Sequence, residues 1–256
     1  RFITKALRDG GHLDFDEPFT KLYHQGTITK DGAKMSKSRG NTVSPDEFIE
    51  KYGSDTFRAY LMFMGPFDEG GDWNDQGITG IDRFLKKVWR FCQLPNSEEV
   101  SPKKDIQILH QTIHAVKNDL NEMKFNTAIS RLMEFINYFS SHESTTMDIK
   151  LNLIKMIAPL TPHIAEELWE INGGVHSVFL ESFPLFDKSL AEEDTITIAV
   201  QVNGKLRGNI EVAKTINNEE LLAFAKKHEN VSMHLKDKDM IKEIVVPQRL
   251  VNFVVK

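Results

Sequence analysis

The middle of the chain, residues 78–172, repeats apolar side chains at spacings of three and four. This spacing gathers apolar side chains on one face of a helix, so the pattern predicts a series of amphipathic helices. The links between them are short, which is typical of antiparallel neighbours in a helical bundle. The predicted helices begin at Ile78, at Ser101-Pro102, at a cap on Asn126, after Thr146 and, following a break at Ala158-Pro159, at Thr161-Pro162.

The last part of the chain, residues 195–256, changes to a period of two. Apolar residues alternate with polar ones on both sides of Asn203-Gly204, which predicts a β-hairpin. A three-residue loop over residues 203–205 pairs Val202 with Leu206 and keeps one face apolar, so we predict this loop instead of a two-residue turn. The rest of this small α+β module is predicted as a helix over about 219–228 and strands over 241–246 and 250–255.

Residues 44–77 predict a small connecting unit with two helices. Ser44 is a good N-cap, Pro45 suits the first helical position, and Glu47 completes a capping box. The helices are predicted over 45–52 and about 55–64, and the polar, glycine-rich stretch 68–72 is predicted to be a loop.

A basic, hydroxyl-bearing pentapeptide, Lys-Met-Ser-Lys-Ser at residues 34–38, precedes this unit. It follows a turn at Asp31-Gly32 and is predicted to be a loop. Its two ammonium groups can neutralise charge that develops on a leaving pyrophosphate, and its hydroxyls can donate hydrogen bonds to it. Most Lys/Ser pentapeptides are ordinary solvated loops, so the chemical interpretation depends on the order of these residues and on the neighbouring sequence.

The neighbouring sequence resembles that of class I aminoacyl-tRNA synthetases, of which the KMSKS pentapeptide is the second signature. The resemblance covers essentially the whole chain. Segment 158–169 resembles the leucyl, isoleucyl, valyl and methionyl enzymes, and segment 200–208 resembles the C-terminal part of bacterial-type leucyl-tRNA synthetases. The matching positions are 34–41, Pro45, 52–56, 62–66, 158–169 and 200–208.

This resemblance implies part of an enzyme that activates leucine with ATP and transfers it to tRNA(Leu). In the family, the KMSKS loop binds ATP and stabilises pyrophosphate as leucyl-adenylate forms, and Mg²⁺ is expected to accompany the ATP. The resemblance implies catalytic roles for Lys34 and Lys37. The ATP contacts it implies are Met35, Ser36, Lys37 and Ser38. The predicted polar face of the hairpin, which the family places against tRNA, consists of Gln201, Asn203, Lys205 and Arg207.

Pattern and resemblance together predict a mainly α chain. Its centre is an antiparallel helical bundle of the anticodon-binding type. The end of a Rossmann-like catalytic domain with the KMSKS loop precedes the bundle, and a small α+β C-terminal domain follows it. The predicted boundaries are 1–43 for the catalytic part, 44–77 for the connecting unit, 78–194 for the bundle and 195–256 for the C-terminal domain.

Composition changes this picture in two respects. The net charge is −5, but residues 195–256 carry 10 basic and 7 acidic side chains, a local charge of +3 that suits phosphate neutralisation. The single cysteine, Cys92, excludes a disulfide framework and a cysteine-based zinc site within the chain, and no apolar run has transmembrane length. We therefore expect a cytoplasmic protein with no membrane partner and no metal site in this chain. We also expect it to be a monomer.

Two other interpretations remain open on the sequence alone. One is a valyl- or isoleucyl-tRNA synthetase, although a valyl enzyme is expected to end in a coiled coil and no sustained heptad follows residue 195. The other is a free-standing, non-catalytic tRNA-binding module. Against it, the chain begins at Arg1 within a helical pattern, so we expect a piece of a longer protein. The sequence contains no His-x-Gly-His motif, which is the first ATP signature of the class, and no long insertion before KMSKS.

Overall fold

The computed structural model describes residues 1–192, 195–236 and 238–256. The chain divides into two compact units, Arg1–Asp187 and Lys188–Lys256, each with its own apolar core. The predicted boundary after residue 194 lies outside the described residues. Both units contain helices and a sheet, so the fold is mixed.

The helices predicted from the apolar stripes are present in the first unit. The helices of this unit are α1 (Phe2–Asp9), α2 (Pro45–Tyr52), α3 (Ser54–Phe63), α4 (Ile78–Cys92), α5 (Lys103–Asn121), α6 (Phe125–Tyr138), α7 (Met147–Ile157) and α8 (Pro162–Ile171). Short 3₁₀ turns occupy Lys37–Arg39, Phe139–Ser141 and Val178–Leu180. The fully buried side chains at the centre of the unit come from α4 to α7 and the 3₁₀ turn after α6, and include Ile78, Ile81, Leu109, Ile113, Leu132, Phe135, Phe139 and Leu153.

Two predicted helix starts differ from the structure in their detail. The predicted cap at Asn126 is wrong, because α6 begins at Phe125 with Lys124 as its N-cap. Met123, directly before this N-cap, is left-handed with a φ of 58°, and the helix is capped two residues earlier than predicted. Helix α2 does begin at Pro45, but the Ser44 side chain makes no capping hydrogen bond, so the capping box does not form.

The first unit also contains a three-stranded sheet in the order β2-β1-β3. Strand β1 (Thr27–Lys30) pairs antiparallel with β2 (Ala33–Lys34) and parallel with β3 (Gly70–Trp73). The prediction of a loop over 68–72 is therefore wrong for its second half. A Cβ atom on Gly70 would lie 2.3 Å from the carbonyl oxygen of Thr27, so glycine here permits the strands to approach.

Asp55 of α3 caps α8, which follows it by more than a hundred residues. Its side chain is buried, and Oδ2 accepts a hydrogen bond of 2.7 Å from the backbone N–H of Ile164. Ile164 is the third residue of α8, where backbone N–H groups have no partner within the helix. Asp55 Oδ1 also lies 2.9 Å from Nδ1 of His163. A carboxylate at this position satisfies an orphan donor and complements the helix dipole.

Replacing Asp55 with alanine should lower the free energy of unfolding of this chain by about 1–3 kcal/mol, because a backbone donor loses its buried partner. Chemical denaturation followed by circular dichroism measures the change. Glu50→Ala is the matched control: it removes an exposed carboxylate of α2 and should change stability by less than about 0.5 kcal/mol. Equal effects of the two substitutions would contradict the capping role.

The sole cysteine lies in the core of the first unit. Cys92 is buried at the end of α4, and burial raises the pKa of its thiol to about 12. Lys150 of α7 is also buried, and its ammonium donates hydrogen bonds to the carbonyl of Leu94 and to Oδ1 of Asn96. The same burial lowers the pKa of Lys150. Lys150 thus fastens the turn after α4 to α7.

The second unit combines helices with a four-stranded sheet, as the change of period predicts. Its described elements are α9 (Lys188–Ala191), β4 (Thr195–Val202), β5 (Lys205–Ala213), α10 (Asn218–Lys227), α11 (Glu229–Leu235), β6 (Met240–Val246) and β7 (Leu250–Val255). Strand order is β5-β4-β7-β6, with β4 and β7 parallel and the other pairs antiparallel. The predicted helix, α10, is followed by α11, which contributes only one buried residue, Val231, and so gave no apolar stripe.

Among the described residues, every helix falls short of the length and apolarity that a membrane crossing requires.

Candidate nucleotide loop and nucleic-acid interface

The KMSKS loop follows directly on a tight hairpin. Strands β1 and β2 are joined by Asp31 and Gly32, whose φ values of 54° and 70° are both left-handed. Asp and Gly tolerate this conformation, which a two-residue turn of this type requires. The chain leaves β2 at Lys34, so the first residue of the pentapeptide is held by strand pairing, through Thr29.

The carboxylate of Asp72, on β3, fixes this hairpin to the sheet. Its Oδ1 accepts hydrogen bonds from the Thr29 hydroxyl at 2.5 Å and from the Gly32 backbone N–H at 3.0 Å. The hydrogen bond from Thr29 and, to a smaller extent, the one from Gly32 lower the pKa of the Asp72 carboxyl group. Both bonds favour the ionised carboxylate, so the base of the loop is braced at neutral pH.

The loop itself folds back on its own start. Residues Lys37–Arg39 form a 3₁₀ turn that ends at Gly40, whose φ is 68° and whose N–H bonds the Lys37 carbonyl. The next residue, Asn41, contacts the loop backbone: its Oδ1 accepts from the N–H of Ser36 at 2.8 Å, and its Nδ2 donates to the carbonyl of Lys34 at 3.3 Å.

Lys34 and the four predicted ATP contacts differ in their exposure to solvent. Lys34, Lys37 and Ser38 are exposed, and neither ammonium has a carboxylate partner among the described residues. Ser36 is half-buried, and its hydroxyl lies 2.9 Å from that of Ser38. Met35 packs against the core of the first unit. The structure therefore presents two exposed ammonium groups and a hydroxyl pair to solvent, while Met35 anchors the loop.

The hairpin of the second unit turns differently from the prediction. The predicted three-residue loop is wrong: Val202 pairs with Lys205 across a two-residue turn of Asn203 and Gly204, with φ values of 50° and 75°. A bulge then shifts the register, so that Val200 faces Gly208 and Ile198 faces Ile210. The bulge corrects the mismatch that had counted against the shorter turn.

The four residues predicted to contact tRNA have different surroundings. Lys205 is exposed, whereas Gln201 and Arg207 are half-buried, and Arg207 Nε is buried with no hydrogen-bond partner among the described residues. Asn203 is engaged by β7: its Oδ1 accepts from the N–H of Val255 at 2.9 Å, and its Nδ2 donates to the carbonyl of that residue at 3.0 Å. Lys205 is thus the freest of the four.

Sequence reasoning missed Asp72 and Asn41, the two side chains that brace the KMSKS loop. Asp72 was placed in a predicted loop, and nothing in the local pattern indicated its pairing with β1. Asn41 carried a signal, since it follows Gly40, and a glycine in the left-handed region often turns the chain back on itself. No metal-binding role emerges for other side chains: among residues 1–192, 195–236 and 238–256, no three His, Cys, Asp or Glu side chains form a group able to hold a metal ion.

The KMSKS loop and the hairpin of the second unit both lie in segments that match known protein families. Residues 2–74 match the family model described as tRNA synthetases class I (I, L, M and V), and residues 106–222 match that of the anticodon-binding domain of tRNA ligase. The chain is 43% identical, over its whole length, to a leucine–tRNA ligase of Caldanaerobacter subterraneus subsp. tengcongensis, and 45% identical to that of Chlorobium chlorochromatii. It covers 34% and 33% of these relatives.

A solved structure gives the same result in three dimensions. It is the ternary complex of Agrobacterium radiobacter K84 LeuRS with tRNA and LeuAMS, which the chain resembles with a TM-score of 0.74 at 30% identity, covering 100% of this chain and 36% of that one. The chain thus belongs to the class I aminoacyl-tRNA synthetases. Within that class it is homologous over its whole length to leucine–tRNA ligases, and it spans about a third of their length.

Proposed function

We propose that this chain supplies the ATP loop and the tRNA-binding parts of a leucine–tRNA ligase. The observation that carries the proposal is the alignment of the whole chain with leucine–tRNA ligases at 42–45% identity. That alignment favours leucine over valine and isoleucine as the amino acid. The exposed, braced KMSKS loop adds the chemistry that activation of an amino acid needs.

In the proposed reaction, a carboxylate oxygen of leucine attacks the α-phosphorus of ATP. The bond from that phosphorus to the bridging oxygen breaks, which gives leucyl-adenylate and pyrophosphate. Lys34 and Lys37 present exposed ammonium groups to the negative charge that grows on the pyrophosphate, and the Ser38 hydroxyl can donate to it. Mg²⁺ bound to the ATP would share this neutralisation. Leucine then passes to a terminal ribose hydroxyl of tRNA(Leu), and AMP leaves.

The RNA-binding part of the proposal rests on the helices after residue 77 and on the second unit. The helices would bind tRNA as an anticodon-binding-type domain, in the order predicted from sequence. Within the second unit, residues 195–256 carry a net charge of +3, and Lys205 is exposed at the tip of their hairpin. Local phosphate neutralisation of this kind positions RNA without base contacts. A ligase of this type would act in the cytoplasm, where its tRNA is charged.

Leucine-dependent exchange of labelled pyrophosphate into ATP tests the enzymatic proposal. The complete protein that contains this chain should catalyse the exchange with leucine, and far more slowly with isoleucine or valine. The chain of residues 1–256 alone should show none, because it has no His-x-Gly-His motif for the ATP phosphates. A complete protein that binds tRNA(Leu) but shows no exchange would instead indicate a non-catalytic binding module.

A further inference from the structure

The side chain of Asn41 closes the KMSKS loop into a ring of backbone and side-chain atoms. One amide group makes both contacts, with Oδ1 accepting from Ser36 and Nδ2 donating to the carbonyl of Lys34. Asparagine suits this role because its side chain carries both an acceptor and donors. A reversed amide would set its NH₂ group against the Ser36 N–H and its oxygen against the Lys34 carbonyl, so the two contacts fix one orientation.

This ring determines the backbone position from which the Lys37 side chain extends. Lys37 is the first residue of the 3₁₀ turn. This turn follows Lys34 and Ser36, whose backbone groups bond Asn41, and it precedes Asn41 itself. Gly40, at a φ of 68°, reverses the chain so that Asn41 can reach back, and its N–H bonds the Lys37 carbonyl. The ammonium of Lys37 is exposed and has a long, flexible stem, so its location depends on the backbone that carries it.

A different contact holds the hairpin beneath the loop. Asp72 bonds Thr29 and Gly32, which lie before the pentapeptide, whereas Asn41 bonds Lys34 and Ser36 within it. Asp72 therefore sets the place of the hairpin on the sheet, and Asn41 sets the shape of the loop. Of the two side chains, only Asn41 bonds residues of the pentapeptide itself.

We infer that Asn41 is a positioning residue for amino-acid activation, and that it acts by preorganising the loop so that Lys37 meets the leaving pyrophosphate. This inference rests on the proposed function. Asn41 itself does not have to touch ATP. A preformed loop spares the ordering of its backbone during the reaction, and small misplacements of a charged group are costly to the rate.

Leucine-dependent pyrophosphate exchange in the complete protein tests the inference through a double-mutant cycle. Asn41→Ala should lower kcat by about 100-fold and leave KM for leucine and the melting temperature unchanged. Lys37→Ala should lower kcat as well. The double variant should be no slower than Lys37→Ala alone, because Asn41 has nothing left to position. Asn152→Ala is the control: it removes two side-chain bonds of one amide, both to Asp148, and should leave kcat unchanged.

The outcomes separate this inference from the proposed function. A wild-type protein without leucine-dependent exchange would overturn the proposed function. An active wild type with unchanged kcat in Asn41→Ala would overturn the inference alone. So would losses that multiply in the double variant, since Asn41 would then act independently of Lys37. A slower Asn41→Ala whose loss matches a loss of folded protein, followed by near-ultraviolet circular dichroism, would also overturn it.

Discussion

Replacing Lys37 with alanine in the complete ligase should slow leucyl-adenylate formation by about 10²–10³, which corresponds to about 2.7–4 kcal/mol of transition-state stabilisation. Lys37 is exposed and unpaired among the described residues, so its charge is free for a ligand. The contact strengthens as pyrophosphate charge develops, and its loss should therefore act on the rate far more than on leucine binding. Single-turnover formation of the adenylate and equilibrium binding of leucine measure the two effects.

Lys51→Ala is the matched control for that experiment. Lys51 is an exposed lysine of α2, and its removal changes the net charge by the same amount. Its rate of adenylate formation should equal that of the wild type. If Lys37→Ala also formed the adenylate at the wild-type rate, Lys37 would not be the ATP contact.

Deleting the second unit, Lys188–Lys256, should leave leucine activation nearly intact and reduce transfer to tRNA by about tenfold or more at physiological salt. The unit has its own core and holds none of the KMSKS residues, so the activation site of the first unit should survive its removal. Transfer should fall because phosphate contacts that set the register of the RNA are lost. Pyrophosphate exchange and charging of tRNA(Leu) report the two steps separately.

A smaller change should reproduce part of that loss. The pair Lys205→Ala/Arg207→Ala should weaken tRNA binding and flatten its salt dependence by up to about two phosphate contacts. The charge-preserving pair Lys205→Arg/Arg207→Lys is its control and should keep the salt slope. A deletion that abolished activation while sparing tRNA affinity would mean that the second unit serves catalysis instead.

The sequence predicted the elements whose signal is local. The stripes of α4, α5 and α7 and the alternation of β4 and β7 each lie within one stretch of chain, and their positions agree with the structure. The failures involve partners far away in sequence. Strand β3 exists because Gly70 to Trp73 pair with β1, which is more than forty residues earlier, and a glycine-rich polar stretch shows no strand period of its own.

The residues of the candidate sites show the same difference between local signals and contacts that form only on folding. The exposure of Lys34 and Lys37 follows from a polar loop between turn residues, and the pattern predicted it. The roles of Asn41 and Asn203 were not predicted, because each depends on which backbone groups come within 3.3 Å of a side-chain amide after folding. The bulge in β5 belongs to the same class: it is a compromise between turn geometry and face alternation, and both are satisfied only once the strands have paired.

The burial of Cys92 has a practical consequence for spectroscopy. With a thiol pKa of about 12, hardly any thiolate is present at neutral pH, and the sulfur is shielded by the core. Maleimide dyes should therefore not react with Cys92 in the folded chain. A cysteine introduced by Ser38→Cys or Lys205→Cys would then be the only reactive thiol in residues 1–256. Fluorophores placed at these two sites could report when each surface meets its ligand.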